Sequence, residues 1–298
     1  MLRVIANADW GRPWGLASDP TGCLLFISDE RAGVVRRLAQ SSLAADPESD
    51  AVLFAKDLRA PQGLAIADSR LFVCEAGRGQ VKAFDVETGQ AVLTWGGLAV
   101  PSGVVAAGQQ LFVASAGSHA VFARDLRCEE AVRVVAGQPG TAGNMKSDDC
   151  GDGGPATSAR LYSPMALAFD AADQLLVADA YNGRVRSVSN GIIQTIAGAD
   201  QSAPRGNRGQ ATEINIGQPR GIAVAPDGPF VATTPGMIWQ LRAGEMCPMA
   251  GTWVDGCNGS EGDATDMRLN VPHGVAFFAG GLAIADSDNH RVCLVELS

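Results

Sequence analysis

An all-β fold, a six-bladed β-propeller of four-stranded antiparallel blades, is predicted by three features of the sequence. An opening of the form Pro-x-Gly, with Ala in place of Gly once, recurs six times, at Pro13, Pro61, Pro101, Pro164, Pro219 and Pro272. Each opening leads into short apolar runs with alternating and β-branched residues, punctuated by turn residues, which favours strands over helices. The pattern fills nearly all of the 298 residues, so the repeat rather than the length sets the domain count: a single domain over residues 1–298.

Within each unit the same order recurs. PWGLA, LLFISDERAGVVRRL and VLFA follow one another in the first unit, and PMALAFD, LLVADAYNGRVRSV and IQTIAG in the fourth, enough for four strands each. The residue two after the opening proline is Gly15, Gly63, Gly103, Ala166, Gly221 or Gly274. Small residues are expected there because strands nearest a propeller axis crowd one another. The sixth unit ends at Ser298 after three strands, whereas LRVIAN at 2–7 matches VRVVAG at 132–137 and IQTIAG at 193–198. The N-terminal segment is therefore predicted to complete the last blade, which removes an open sheet edge.

Bulk properties narrow the partners. With 46% hydrophobic and 18% charged residues the chain has the composition of an ordinary globular protein. A net charge of −9 repels polyanions, so no nucleic-acid partner is expected. No apolar run approaches the roughly 18 residues of a membrane span, and residues 1–9 lack the apolar core of a signal peptide. The expectation is a chain without a membrane partner, cytoplasmic by default.

ADAYNGRVRSV in the fourth unit and ADSDNHRVCLV in the sixth resemble the NHL repeat, named for an Asn-His-Leu stretch in this column. The fifth unit, ATTPGMIWQL, departs furthest, having lost the Asp and Asn and gained Pro235. The resemblance implies a six-bladed propeller with a binding role, although members range from RNA-binding modules to lyases.

Several constellations could carry chemistry. The residue ending each second strand is Asp29, Glu75, Ser115, Asp179, Thr233 or Asp286; a ring of carboxylates could hold a hard cation, but Asp before a turn more commonly accepts backbone N–H groups. The residue after each opening proline, Trp14, Gln62, Ser102, Met165, Arg220 or His273, is predicted to rim the channel mouth. These six are the candidate ligand-binding residues, with Arg220 suited to a carboxylate; the alternative is that they simply plug the channel. The related peptidylglycine amidating lyases carry zinc-binding histidines, two in a comparable Pro-His context. Here only His273 has that place, so neither a metal site nor catalytic residues are assigned and no cofactor is expected.

Three links are long, Gln138 to Ser163, Ala199 to Gln218 and Thr252 to Val271, and are predicted to crowd the same rim. DDCGDGGPATSARL and SEGDATDMRL in two of them lack the spacing of phosphate or calcium loops, and read as a recurring structural link that drops Leu161 or Leu269 between blades. Cys128 with Cys150, and Cys247 with Cys257, occupy corresponding places in their units, and whether each pair is a disulfide stays open. The expected function is non-catalytic recognition of a protein, peptide or small-molecule ligand through the loop-rich face and mouth. A metal-dependent lyase or lactone hydrolase is the alternative.

Overall fold

The computed structural model describes residues 1–6, 10–44, 51–127, 132–144, 150–200, 202–206 and 208–297. Six antiparallel sheets follow one another round an axis. Their innermost strands are Pro13–Ser18, Pro61–Ala67, Pro101–Ala107, Pro164–Phe169, Gln218–Ala225 and Pro272–Phe278, each opening at or next to a predicted proline. The three strands that follow each of the first five complete blades one to five. Blade six takes its outer strand, Leu2–Ala6, from the N-terminus, with Leu2 opposite Val295 and Val4 opposite Cys293, so the ring closes as predicted.

Period-2 alternation places one face of every sheet against each neighbour. In Gly281–Asp286, Leu282 and Ile284 pack towards blade five while Ala283 and Ala285 pack towards blade one. The first strand alternates likewise: Leu2 joins the core between blades five and six, and Ile5 the core between blades six and one.

The inner strands meet through their small residues. A Cβ on Gly15, Gly63, Gly103, Gly221 or Gly274 would lie 2.0–2.5 Å from the carbonyl oxygen of Gln62, Ser102, Met165, His273 or Trp14 respectively, each on the next blade round the ring. Only a hydrogen fits there. The same contact, Gly274 on Trp14, closes blade six onto blade one.

The long links do more than the sequence reading gave them. Besides touching the turns at the rim, where Asn182 donates to the Arg160 carbonyl and Asn289 to that of Gly256, each reaches the outer edge of the following blade. Pro155 bridges Ile192, Gly209–Gln210 pairs with Met246 and Glu245, and Glu261–Gly262 pairs with Arg3 and Leu2. Blades five and six thereby gain a short fifth strand where four were predicted. One alanine anchors each link. The carbonyls of Ala156, Ala211 and Ala264 accept from Gly137, Gly198 and Gly251 at 2.7–2.9 Å, and these glycines have φ of 84°, 89° and 86°. The amides of Ala156 and Ala211 donate to Gly191 and Gly244 on the next blade, so a single residue ties two blades together. The expected structural link is present, with Leu161 and Leu269 fully buried and a third copy at Ala211–Ile216.

The cysteine pairs resolve differently. Cys247 and Cys257 are free thiols. Cys128 lies outside the described residues; Cys150 accepts a hydrogen bond from Arg184 in the way that Cys257 accepts one from Arg291. Arg184 and Arg291 share one column of the repeat, so these sulfurs act as acceptors for a turn arginine. Among the described residues no helix is long and apolar enough to cross a membrane.

Removing residues 1–6 is expected to destabilise the whole ring. It strips Leu2 and Ile5, both 0% exposed, from two cores, at about 2 kcal/mol for each side chain, and bares the edge of Arg291–Glu296. Thermal denaturation of the truncated chain should show a large drop in midpoint; an unchanged midpoint contradicts closure by this strand.

Candidate functional site

The acidic column is spent on backbone. Asp29 accepts from the amides of Gly11, Arg12 and Ala32, Glu75 from Arg59, Asp179 from Tyr162, and Asp286 from Asn270. Each carboxylate thus fastens the segment just before the opening proline to the turn after the second strand, the commoner of the two roles considered. Ser115 keeps the position by donating to the Ala99 carbonyl at 2.6 Å. In blade five Thr233 instead accepts from the Trp239 indole, and Asn215 caps the amide of Gly217. Among the described residues no three His, Cys, Asp or Glu side chains converge as metal ligands.

Five of the six mouth-column residues meet at one cavity. Trp14, Ser102, Met165, Arg220 and His273 line one central cavity of about 60 Å³. Gln62 is not part of its lining: it is buried and donates to Glu30 at 3.2 Å. The opening is narrow because Trp14 of blade one and Met165 of blade four, on opposite sides of the ring, belong to a single apolar cluster with Ala116 and Ala180. About 60 Å³ has room for a few waters or one small planar group, not for a whole drug-sized molecule.

The polar groups of the mouth differ in what they have left to give. His273, 2% exposed, stacks on Trp14 with ring centroids 3.5 Å apart, and its Nδ1 lies 2.9 Å from the Ser287 hydroxyl. Burial, then the positive fields of Arg220 and Arg12, push its pKa well below 6.5, so the ring is neutral. Ser102 donates to the Pro164 carbonyl. Arg12 lies over Trp14 and pairs with Glu30 and Asp288 at 2.8 and 2.7 Å.

Arg220 is otherwise. Half-buried, its guanidinium lies 5.5 Å from the Tyr181 ring centre and donates to Gln218 at 2.8 Å, while its Nε is buried without a partner. Burial lowers its pKa, and contact with Tyr181 opposes that. No carboxylate among the described residues lies within ion-pair distance of it.

Sequence reasoning missed Arg12, Glu30, Tyr181, Gln218 and Asp288, which hold or surround the mouth groups. The available signal was positional: Arg12 and Gln218 immediately precede an opening proline, and Glu30, Tyr181 and Asp288 sit in the turn after a second strand.

Six such blades, with the acidic residue fastening the turn in blades one, two, four and six, define a repeat propeller. The chain is similar to the NHL-repeat propellers in two segments: residues 103–205 match the teneurin NHL domain and residues 269–293 the NHL repeat. No curated protein matches it in sequence. Among solved structures, a Bacteroides thetaiotaomicron protein of unknown function superposes with a TM-score of 0.75 at 14% identity, over 98% of this chain and 74% of that one. An auxiliary nutrient binding protein from the same organism gives 0.69 at 13% identity, over 96% and 69%. A gluconolactonase from Xanthomonas campestris gives 0.66 at 14% identity, over 100% and 89%. At such identities the likeness is one of fold.

Because His273 refuses a proton that the unfolded chain accepts, its contribution to stability is complete above pH 6.5 and is lost as the pH falls below it. Thermal melts between pH 7.5 and 5 should therefore show a steeper decline for the native chain than for His273→Gln. The difference is at most about 1.4 kcal/mol per pH unit for one proton. Parallel curves for the two proteins would show that the imidazole is not held neutral.

Proposed function

We propose that this propeller is a non-catalytic recognition module that takes one small carboxylate group of its ligand, a peptide or small molecule, at the mouth. The observation that supports this most directly is Arg220, a partly desolvated guanidinium facing the cavity with no acidic partner among the described residues. Holding a desolvated cation unpaired costs stability, and a carboxylate docked against it recovers that cost through charge-assisted hydrogen bonds. The cavity admits such a group while the remainder of the ligand rests on the rim. The neutral, aromatic Trp14–His273 stack offers an apolar wall beside it.

A metal-dependent lyase or lactone hydrolase draws less support. The gluconolactonase is similar to this chain in fold alone. The imidazole at the mouth is neutral, stacked and engaged with Ser287, and no second imidazole joins it.

The test is Arg220→Met, which keeps bulk and removes charge. Replacing Arg220 and His273 together is less informative, because His273 is packed into the ring. Acetate, glutarate and N-acetylalanine, each with its amide as control, are titrated while the Trp14 indole resonance is followed. The carboxylates should shift it saturably and the amides should not, with Arg220→Met weakening binding by roughly ten- to a hundredfold at an unchanged or higher melting temperature. Equal response of the native and substituted proteins would remove the basis of the proposal.

A further inference from the structure

The inner strands present three six-membered rings of side chains to the channel. Beyond the mouth ring, Leu16, Leu64, Val104, Leu167, Ile222 and Val275 form an aliphatic collar, one residue per blade, each between 5% and 8% exposed. The collar lines both the mouth cavity and a second cavity at the opposite end of the channel. That second cavity is walled by the third ring, Ser18, Ile66, Ala106, Phe169, Val224 and Phe277, all half-buried.

The two ends contrast in size and chemistry. The far cavity measures about 570 Å³ against about 60 Å³ at the mouth, and falls within the roughly 300–1,000 Å³ of small-molecule sites. Apart from the Ser18 hydroxyl its side-chain wall is apolar, and the one charged lining residue is Asp173, exposed at the rim in a hairpin turn. Displacement of water from the aliphatic and aromatic side chains by an apolar body is favourable, while the free main-chain edges of the inner strands stay available to water around it. The net charge of −9 and the Asp173 carboxylate at the entrance set the preferred sign of any polar end.

We propose that this vestibule is a second binding site, for a compact apolar molecule carrying a single positive charge at its outer end. It shares no polar group with the mouth, and the collar separates the two, so it stands or falls independently of the recognition role assigned to Arg220. The collar supplies the floor, Phe169 and Phe277 supply aromatic wall, and Asp173 faces the charged end.

The experiment uses three probes with one rigid cage: adamantylammonium, adamantanol and adamantane carboxylate, titrated calorimetrically into the whole chain. Saturable binding with one site is expected, tightest for the ammonium and weakest for the carboxylate. Ala106→Trp, which places an indole in the vestibule, should weaken all three by at least about tenfold. Asp173→Asn should lower the ammonium to the affinity of the alcohol, a loss of up to about fivefold. Asn tolerates the φ of 56° at this position, so this second variant keeps the backbone and tests the site even where the indole disturbs folding. Arg220→Met should change none of these values. No saturable binding to the native chain, a carboxylate that binds best, or a folded Ala106→Trp protein with native affinity would each overturn the proposal.

Discussion

The radius of this ring is set where one blade's inner strand touches the next through a glycine and a carbonyl oxygen. Five of these contacts leave room for a hydrogen and nothing larger. Channel width follows from that spacing, and so does the reach of each side chain across it. With the strands this close, Trp14 and Met165 belong to one cluster from opposite sides and leave a mouth fit for a single functional group. A wider ring would have been a pocket for a whole molecule at that end. Packing of backbone against backbone therefore decides how much of a ligand can enter.

A second level of organisation runs round the perimeter. Three links, each anchored by an alanine whose carbonyl accepts from a glycine at the end of one outer strand, continue along the outer edge of the next blade. They occupy strand edges that would otherwise offer free amides and carbonyls to another chain. Their length, which looked like material for a binding face, is used to join and cover blades three to six. At the mouth itself the chemistry is concentrated in the inner column and the turns beside it.

Much of this was legible in the sequence, for a physical reason. Pro-x-Gly columns and period-2 alternation are local signals repeated six times, so the blades, their order and the closing role of Leu2–Ala6 could be read directly. The mouth column was legible because a residue's place on a strand fixes the face it points to, and five of six residues line the cavity. Gln62 escaped because Glu30, on a neighbouring blade, draws its amide aside. The surroundings of Arg220 were illegible, since Tyr181 and Gln218 come from other columns and meet it only through turn geometry. Cys257 was misplaced as a disulfide candidate for the same reason: its partner, Arg291, is chosen by the fold of a turn. The motif's third copy, Ala211–Ile216, was overlooked because Ile214 and Asn215 stand where Ala159 and Arg160, or Met267 and Arg268, stand in its counterparts, although the buried positions are the same.

The collar has one more implication. Six branched aliphatic side chains, one from each blade, form the boundary that the two cavities share. The disc therefore has two unlike faces, a narrow entrance bearing a cation and an indole on one side and a wide greasy bowl on the other, set back to back on one ring of side chains.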